Sequence, residues 1–72
     1  MTDMILSYEE NIKILADRYV GYRNAIARKN YDRVVVWGTL LLESQKDTGI
    51  ELRPTDSIKH FIAEAKEKMW AA

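Results

Sequence analysis

The residues best suited to chemistry lie in one segment, residues 18–33, where cations alternate with tyrosines. Its cations are Arg18, Arg23, Arg28, Lys29 and Arg33, and its aromatic residues are Tyr19, Tyr22 and Tyr31. Guanidinium groups bind phosphate through paired hydrogen bonds, and aromatic rings can stack on nucleic-acid bases. The segment therefore allows a phosphate-binding interpretation, in which the five cations hold a nucleotide or a nucleic acid.

The spacing of these cations places them on different faces of a helix. Arg18 and Lys29 share one face of the first predicted helix, whereas the other cations of that helix point elsewhere. Tyr19 and Tyr22 fall in an apolar stripe, which favours core positions with hydroxyl groups near the surface. Cations near the C-terminus of a helix are also favoured by the helix dipole. We therefore favour a solvated helix end and keep phosphate binding as the alternative.

No other set of residues has the spacing of a catalytic or metal site. His60 is the only histidine and cysteine is absent, so disulfides and a thiolate zinc site are excluded. Glu64 lies one turn after His60, but two donors do not make a metal site. Glu9 and Glu10 are adjacent, so a helix cannot turn their carboxylates toward each other. We expect a protein that is not an enzyme, with no metal and no cofactor.

Three amphipathic helices are predicted to position these residues. A capping box at Ser7 and apolar residues at steps of three and four predict a first helix over about residues 7–28. After a short polar break, a second helix is expected over about residues 31–47. Pro54 stops any helix that arrives from before it, and a third helix is expected over about residues 56–70.

The second segment is ambiguous, because the β-branched residues 34–36 also favour a strand. The residues that follow are good helix formers, Gly49 suits a left-handed helix end, and no other segment offers a partner strand. We therefore predict a helix. The predicted fold is all-α: a small three-helix bundle, formed by a helical hairpin plus a third helix, in one domain over residues 1–72.

Composition limits both the stability and the partners of the chain. A core built from 72 residues supplies little stability by itself, so oligomerisation is the support that remains once disulfides are excluded. Eleven basic and eleven acidic side chains give no net field toward nucleic acid or membrane. The longest uncharged apolar run, residues 34–42, is too short to span a membrane, so we expect a cytoplasmic protein with no membrane partner.

The second helix carries more apolar side chains than its two neighbours can cover. Gly38 lies at the centre of its broad apolar face, where the missing side chain lets another helix approach closely. Val36 and Leu40 point to the opposite side, and Trp37 lies at the edge. A helix that is apolar nearly all round is normally buried on all sides. We therefore expect another polypeptide to cover these residues.

The predicted function follows from these uncovered apolar side chains on the second helix. We expect a small non-catalytic protein–protein interaction module: a regulatory subunit, an adaptor or an inhibitor. It would act as a homodimer or higher homo-oligomer through an apolar patch of Val36, Trp37 and Leu40. Trp70 lies off the apolar stripe of the third helix, and it either anchors the chain end or joins this interface. The alternative is binding of a nucleotide or nucleic acid through residues 18–33.

Overall fold

The computed structural model describes residues 7–71, which form three helices. In chain order they are α1 (Tyr8–Ala27), α2 (Tyr31–Thr48) and α3 (Thr55–Ala71). Each boundary lies within one residue of its predicted position, and residues 7–71 contain no strand, so the all-α three-helix prediction is confirmed. Residues 1–6 and 72 of the predicted domain lie outside the described range.

Local sequence determines where the helices begin and end. At the start of α1, Glu10 N donates to Ser7 Oγ at 3.1 Å, and Ser7 N donates to Glu10 Oε1 at 3.0 Å, which is the predicted capping box. The α2 helix ends at Gly49, whose φ of 74° is the left-handed conformation that glycine adopts without strain. Between α1 and α2 the chain turns through Lys29, which has a φ of 55°.

The α2 helix is central, with α1 packed on one side and α3 on another. Within residues 7–71, no Cα atom of α1 lies within 8 Å of a Cα atom of α3. The core takes side chains from all three helices: Leu15, Tyr22, Ala25, Val34, Leu41, Ile58 and Ala65. Because both outer helices pack on α2, this helix needs apolar residues on two sides, which accounts for most of its uncharged run.

Two glycines allow the helices to approach closely. A Cβ atom at Gly38 would lie 2.8 Å from Cγ1 of Ile62, so α3 packs directly on the backbone of α2, as the sequence predicts. A Cβ atom at Gly21 would lie 2.5 Å from Cδ2 of Trp37, so the indole ring lies directly on the backbone of α1. This second close approach was not predicted.

Two polar side chains of α2 are buried, and both make hydrogen bonds. The Gln45 amide pairs with the backbone of Arg53: Nε2 donates to the carbonyl oxygen at 3.0 Å, and Oε1 accepts from the N–H at 3.0 Å. Ser44 Oγ accepts a hydrogen bond from Arg18 Nη1 at 2.8 Å. These bonds attach the α2–α3 connection and α1 to the central helix while satisfying buried polar groups.

We predict that Gly38→Ala destabilises the fold. The added Cβ overlaps Ile62, and overpacking of this kind costs about 1–3 kcal/mol, which outweighs a gain in helix propensity of about 1 kcal/mol. Urea unfolding should show a lower midpoint, partly restored in Gly38→Ala/Ile62→Val, which removes one clashing methyl group. Thr39→Ala, at the next and exposed position, should leave the midpoint unchanged or raise it. An equal rise for both alanine variants would contradict the close approach.

A second prediction concerns Tyr22, whose hydroxyl group is the one buried side-chain polar group without a hydrogen-bond partner within residues 7–71. Burial raises the pKa of Tyr22 above its ordinary value of 10.0, against a smaller lowering by the positive charge of Arg53. A raised tyrosine pKa changes the stability of the fold only at alkaline pH. Above the ordinary value the unfolded chain releases its proton first, so the stability of the fold decreases.

Tyr22→Phe removes the unpaired hydroxyl group and keeps the ring. We expect a free energy of unfolding at pH 7 that is unchanged or higher, because no hydrogen bond is lost. The loss of stability above pH 10.0 should be smaller in the variant than in the wild type. Urea unfolding at both pH values measures this, with Tyr8→Phe, at an exposed tyrosine, as the control. A large loss of stability at pH 7 would show that the hydroxyl group has a partner after all.

Candidate interaction surface

One side of α2, next to α1, carries a row of residues that changes from basic to apolar to acidic along the helix. Arg33, Val36, Leu40, Glu43 and Asp47 recur at steps of three and four, so they lie in one row along the helix. The neighbouring Trp37 borders this row, as does Arg28, which follows the end of α1 and lines a depression together with Arg33 and Trp37. We call these seven residues the α1–α2 face: Arg28, Arg33, Val36, Trp37, Leu40, Glu43 and Asp47.

The centre of the α1–α2 face is apolar. The Val36 side chain is 52% exposed, and Leu40 and Trp37 are partly buried. Trp37 contributes to the fold because its indole ring packs on Gly21, which holds the ring in place at the surface of the hairpin. Neither α1 nor α3 covers Val36, so this chain leaves an apolar centre in contact with solvent.

Arg18 lies beneath this centre and joins the two helices. Its Nη1 atom donates to the Leu40 carbonyl oxygen at 3.0 Å and to Ser44 Oγ at 2.8 Å. The same atom lies 3.9 Å from Glu43 Oε1, at an exposed carboxylate where an ion pair contributes little. Arg18, a predicted phosphate ligand, thus uses this nitrogen for contacts within the chain.

The two ends of the α1–α2 face have opposite charge. At one end Arg28 and Arg33 line a shallow depression of about 350 Å³ beside Trp37, and no acidic side chain lines it. At the other end the exposed residues Glu43 and Asp47 line a second depression, whose lining also includes the partly buried Arg18. Within residues 7–71, the only ion pair is that of Glu43 with Arg18. Arg28, Arg33 and Asp47 therefore present their charges to solvent.

The remaining predicted phosphate ligands lie elsewhere. The Arg23 guanidinium lies 5.7 Å from the ring centroid of Tyr19, as a cation–π pair. Lys29 lines a different cleft, of about 220 Å³, between the ends of the three helices, together with Lys68. Of the five cations in residues 18–33, the structure brings together only Arg28 and Arg33 at one depression.

Trp70 lies on a different helix from the other residues of the predicted interface. It lies near the end of α3 and is 79% exposed. The α3 helix packs on the side of α2 that carries Gly38, whereas the α1–α2 face lies on the side that carries Trp37.

The rest of the described chain offers little for other chemistry. No three histidine, cysteine or acidic side chains within residues 7–71 come together as metal ligands. The His60 ring packs edge-on against Phe61, with ring centroids 5.6 Å apart. In the same part of the chain, no helix is both long and apolar enough to cross a membrane.

Two features of the α1–α2 face were not predicted from sequence. The acidic end was overlooked, although the spacing from Arg33 to Asp47 already places both in one row. The contact between Gly21 and Trp37 depends on how two helices face each other, and the sequence carries only a weak signal for it: a glycine inside a helix, where it is otherwise unfavourable.

We predict that Arg18→Met destabilises the fold by about 1.5–3 kcal/mol, the usual contribution of hydrogen bonds to a charged group. Methionine keeps most of the apolar stem but removes the donors to Leu40 and Ser44. The matched control is Arg23→Met on the same helix, whose guanidinium forms a cation–π pair with Tyr19 and whose loss should cost under about 1 kcal/mol. Urea unfolding measures both variants. Equal losses would show that Arg18 does not join the helices.

Comparison of the chain with known proteins indicates no family. No protein-family model, no curated protein and no solved structure matches it. Its function is therefore inferred from its own residues. The most distinctive surface of the chain is the α1–α2 face, which has an apolar centre and two ends of opposite charge.

Proposed function

We propose that this chain is a small non-catalytic protein–protein interaction module that works as a homo-oligomer. Its interface is the apolar centre of the α1–α2 face: Val36, Trp37 and Leu40. The observation that carries the proposal is the exposure of Val36, which is 52%, on a helix whose other two sides are covered by α1 and α3. Covering aliphatic side chains gains about 25 cal/mol for each Å² of apolar surface removed from water.

The composition of the α1–α2 face suits a polypeptide partner. Protein interfaces place aromatic and aliphatic residues at the centre and polar or charged residues at the rim. Here Trp37 is held against Gly21, so little conformational entropy is lost when a partner contacts it. A module of this kind holds or blocks its partner, and its role would be that of a regulatory subunit, an adaptor or an inhibitor in the cytoplasm.

The proposal predicts reversible self-association that depends on Leu40. Analytical ultracentrifugation should give a mass that rises with concentration in the micromolar range for the wild type. Leu40→Glu should remain a monomer, because a carboxylate in the centre of the interface cannot be desolvated cheaply. Its unfolding midpoint should change little if the side chain mainly faces the partner.

The matched control is Leu52→Glu, the same substitution at a leucine in the α2–α3 connection that is 41% exposed. This variant should associate as the wild type does. A wild type that stays monomeric at high micromolar concentration would refute the proposal. So would an association that Leu40→Glu leaves unchanged.

The second candidate function is binding of a nucleotide or nucleic acid. It is favoured by one observation: Arg28 and Arg33 line a depression beside the Trp37 indole that no acidic side chain lines. Such binding would weaken steeply with salt and would be lost in Arg28→Glu/Arg33→Glu, whereas Arg23→Glu would retain it. Fluorescence titration with ATP and with a short single-stranded oligonucleotide at low salt tests it, and no change in signal would remove this candidate.

A further inference from the structure

We propose that the partner at the α1–α2 face is a second copy of this chain, docked antiparallel across a two-fold axis beside Leu40. This inference rests on the proposed function, and it adds the identity of the partner and its orientation. It is carried by two charged residues of opposite sign, Arg33 and Asp47, which lie equally far from Leu40 along α2.

Two charged residues on α2 are placed symmetrically about the apolar centre. Arg33 lies seven residues before Leu40, and Asp47 lies seven residues after it. Seven residues are two turns of helix, so all three side chains lie in one row, with each charge about 10 Å from Leu40. Both charged side chains are exposed, and neither forms an ion pair within residues 7–71.

In a dimer with a two-fold axis, these two opposite charges face each other across the interface. In an antiparallel pair of α2 helices, a residue before Leu40 faces the residue that lies equally far after Leu40 in the other copy. Arg33 then faces Asp47 of the partner subunit, and the same pair forms again on the other side of the axis. Arg28 adds a second cation at the end that receives Asp47.

The apolar residues meet near the axis in this arrangement. Leu40 packs against its own copy, as any residue on a two-fold axis does. Val36, four residues before Leu40, lies closest in the row to Glu43 of the partner subunit, three residues after Leu40, whose methylene groups can cover the valine while its carboxylate stays at the rim. The carboxylate of Glu43 is suited to this position because its side chain is 64% exposed and Arg18 lies 3.9 Å away.

The same charges disfavour the other arrangements. A parallel pair of α2 helices would place Arg33 against Arg33 and Asp47 against Asp47, and juxtaposed like charges suppress association. A nucleic acid would be attracted to Arg28 and Arg33 but repelled by Glu43 and Asp47 in the same row. Two copies also carry no net charge, so no long-range repulsion opposes their encounter.

Charge reversal at the two paired positions tests the orientation. Arg33→Glu and Asp47→Arg should each weaken self-association at least tenfold at low salt, because each creates two like-charged pairs in a dimer. The double variant Arg33→Glu/Asp47→Arg should associate within about threefold of the wild type, since both pairs are restored with their signs exchanged. An equimolar mixture of the two single variants should form mixed dimers for the same reason.

Sedimentation measures the dissociation constants, and native mass spectrometry of one isotope-labelled variant identifies mixed dimers. Arg23→Glu, a reversal outside the α1–α2 face, is the control and should leave association unchanged. Circular dichroism and urea unfolding of every variant verify that the fold is intact. Restoration by the double variant is itself a control, because a misfolded chain would not regain affinity.

The outcomes separate this inference from the proposed function. If Leu40→Glu abolishes association but neither charge reversal weakens it, the interface stands and the antiparallel orientation is wrong. If both reversals weaken association and the double variant does not restore it, the pairing of Arg33 with Asp47 is wrong. A wild type that remains monomeric refutes both, and nucleotide or oligonucleotide binding that is lost in Arg33→Glu and tighter in Asp47→Arg would assign the α1–α2 face to the alternative ligand.

Discussion

Close packing of α2 against two helices whose backbones do not approach each other is the constraint on which this structure depends. Gly38 lets α3 reach the backbone of α2, and Gly21 lets the Trp37 ring of α2 reach the backbone of α1. Because glycine has no side chain to separate the helices, atoms of the neighbouring helix reach van der Waals contact with the backbone at both positions. The apolar run of α2 is long because it supplies both of these interfaces from one helix.

That arrangement also determines what α2 leaves exposed. Two sides of the helix are buried, and the third side carries Val36 at its centre with charged residues at either end. Arg18 ties this side to α1 through the Leu40 carbonyl oxygen and Ser44 Oγ, so the surface is anchored by the same hydrogen bonds that hold the helical hairpin together. A preorganised surface loses less entropy on binding than one that must first become ordered.

Sequence reasoning captured the helices almost to the residue, because capping boxes, glycine ends and apolar spacing are local signals. It also found the close approach at Gly38, since that residue lies at the centre of an apolar face. It could not find how Gly21 faces Trp37 or that Arg18 turns inward, because both depend on the rotation of one helix about another. Grouping cations by their position along the chain failed for a related reason: residues that are neighbours in sequence, such as Arg28 and Lys29, line different depressions.

The distance between α1 and α3 has a consequence for cooperativity. Within residues 7–71 the backbones of α1 and α3 each pack closely on α2 and not on each other, so these two helices meet only through side chains in the shared core. Opening of α3 exposes one side of α2 while the closely packed backbones of α1 and α2 can stay together, so amide hydrogens in α3 can exchange through a sub-global opening that spares the first hairpin. The hairpin that carries the α1–α2 face can thus persist through fluctuations of the third helix.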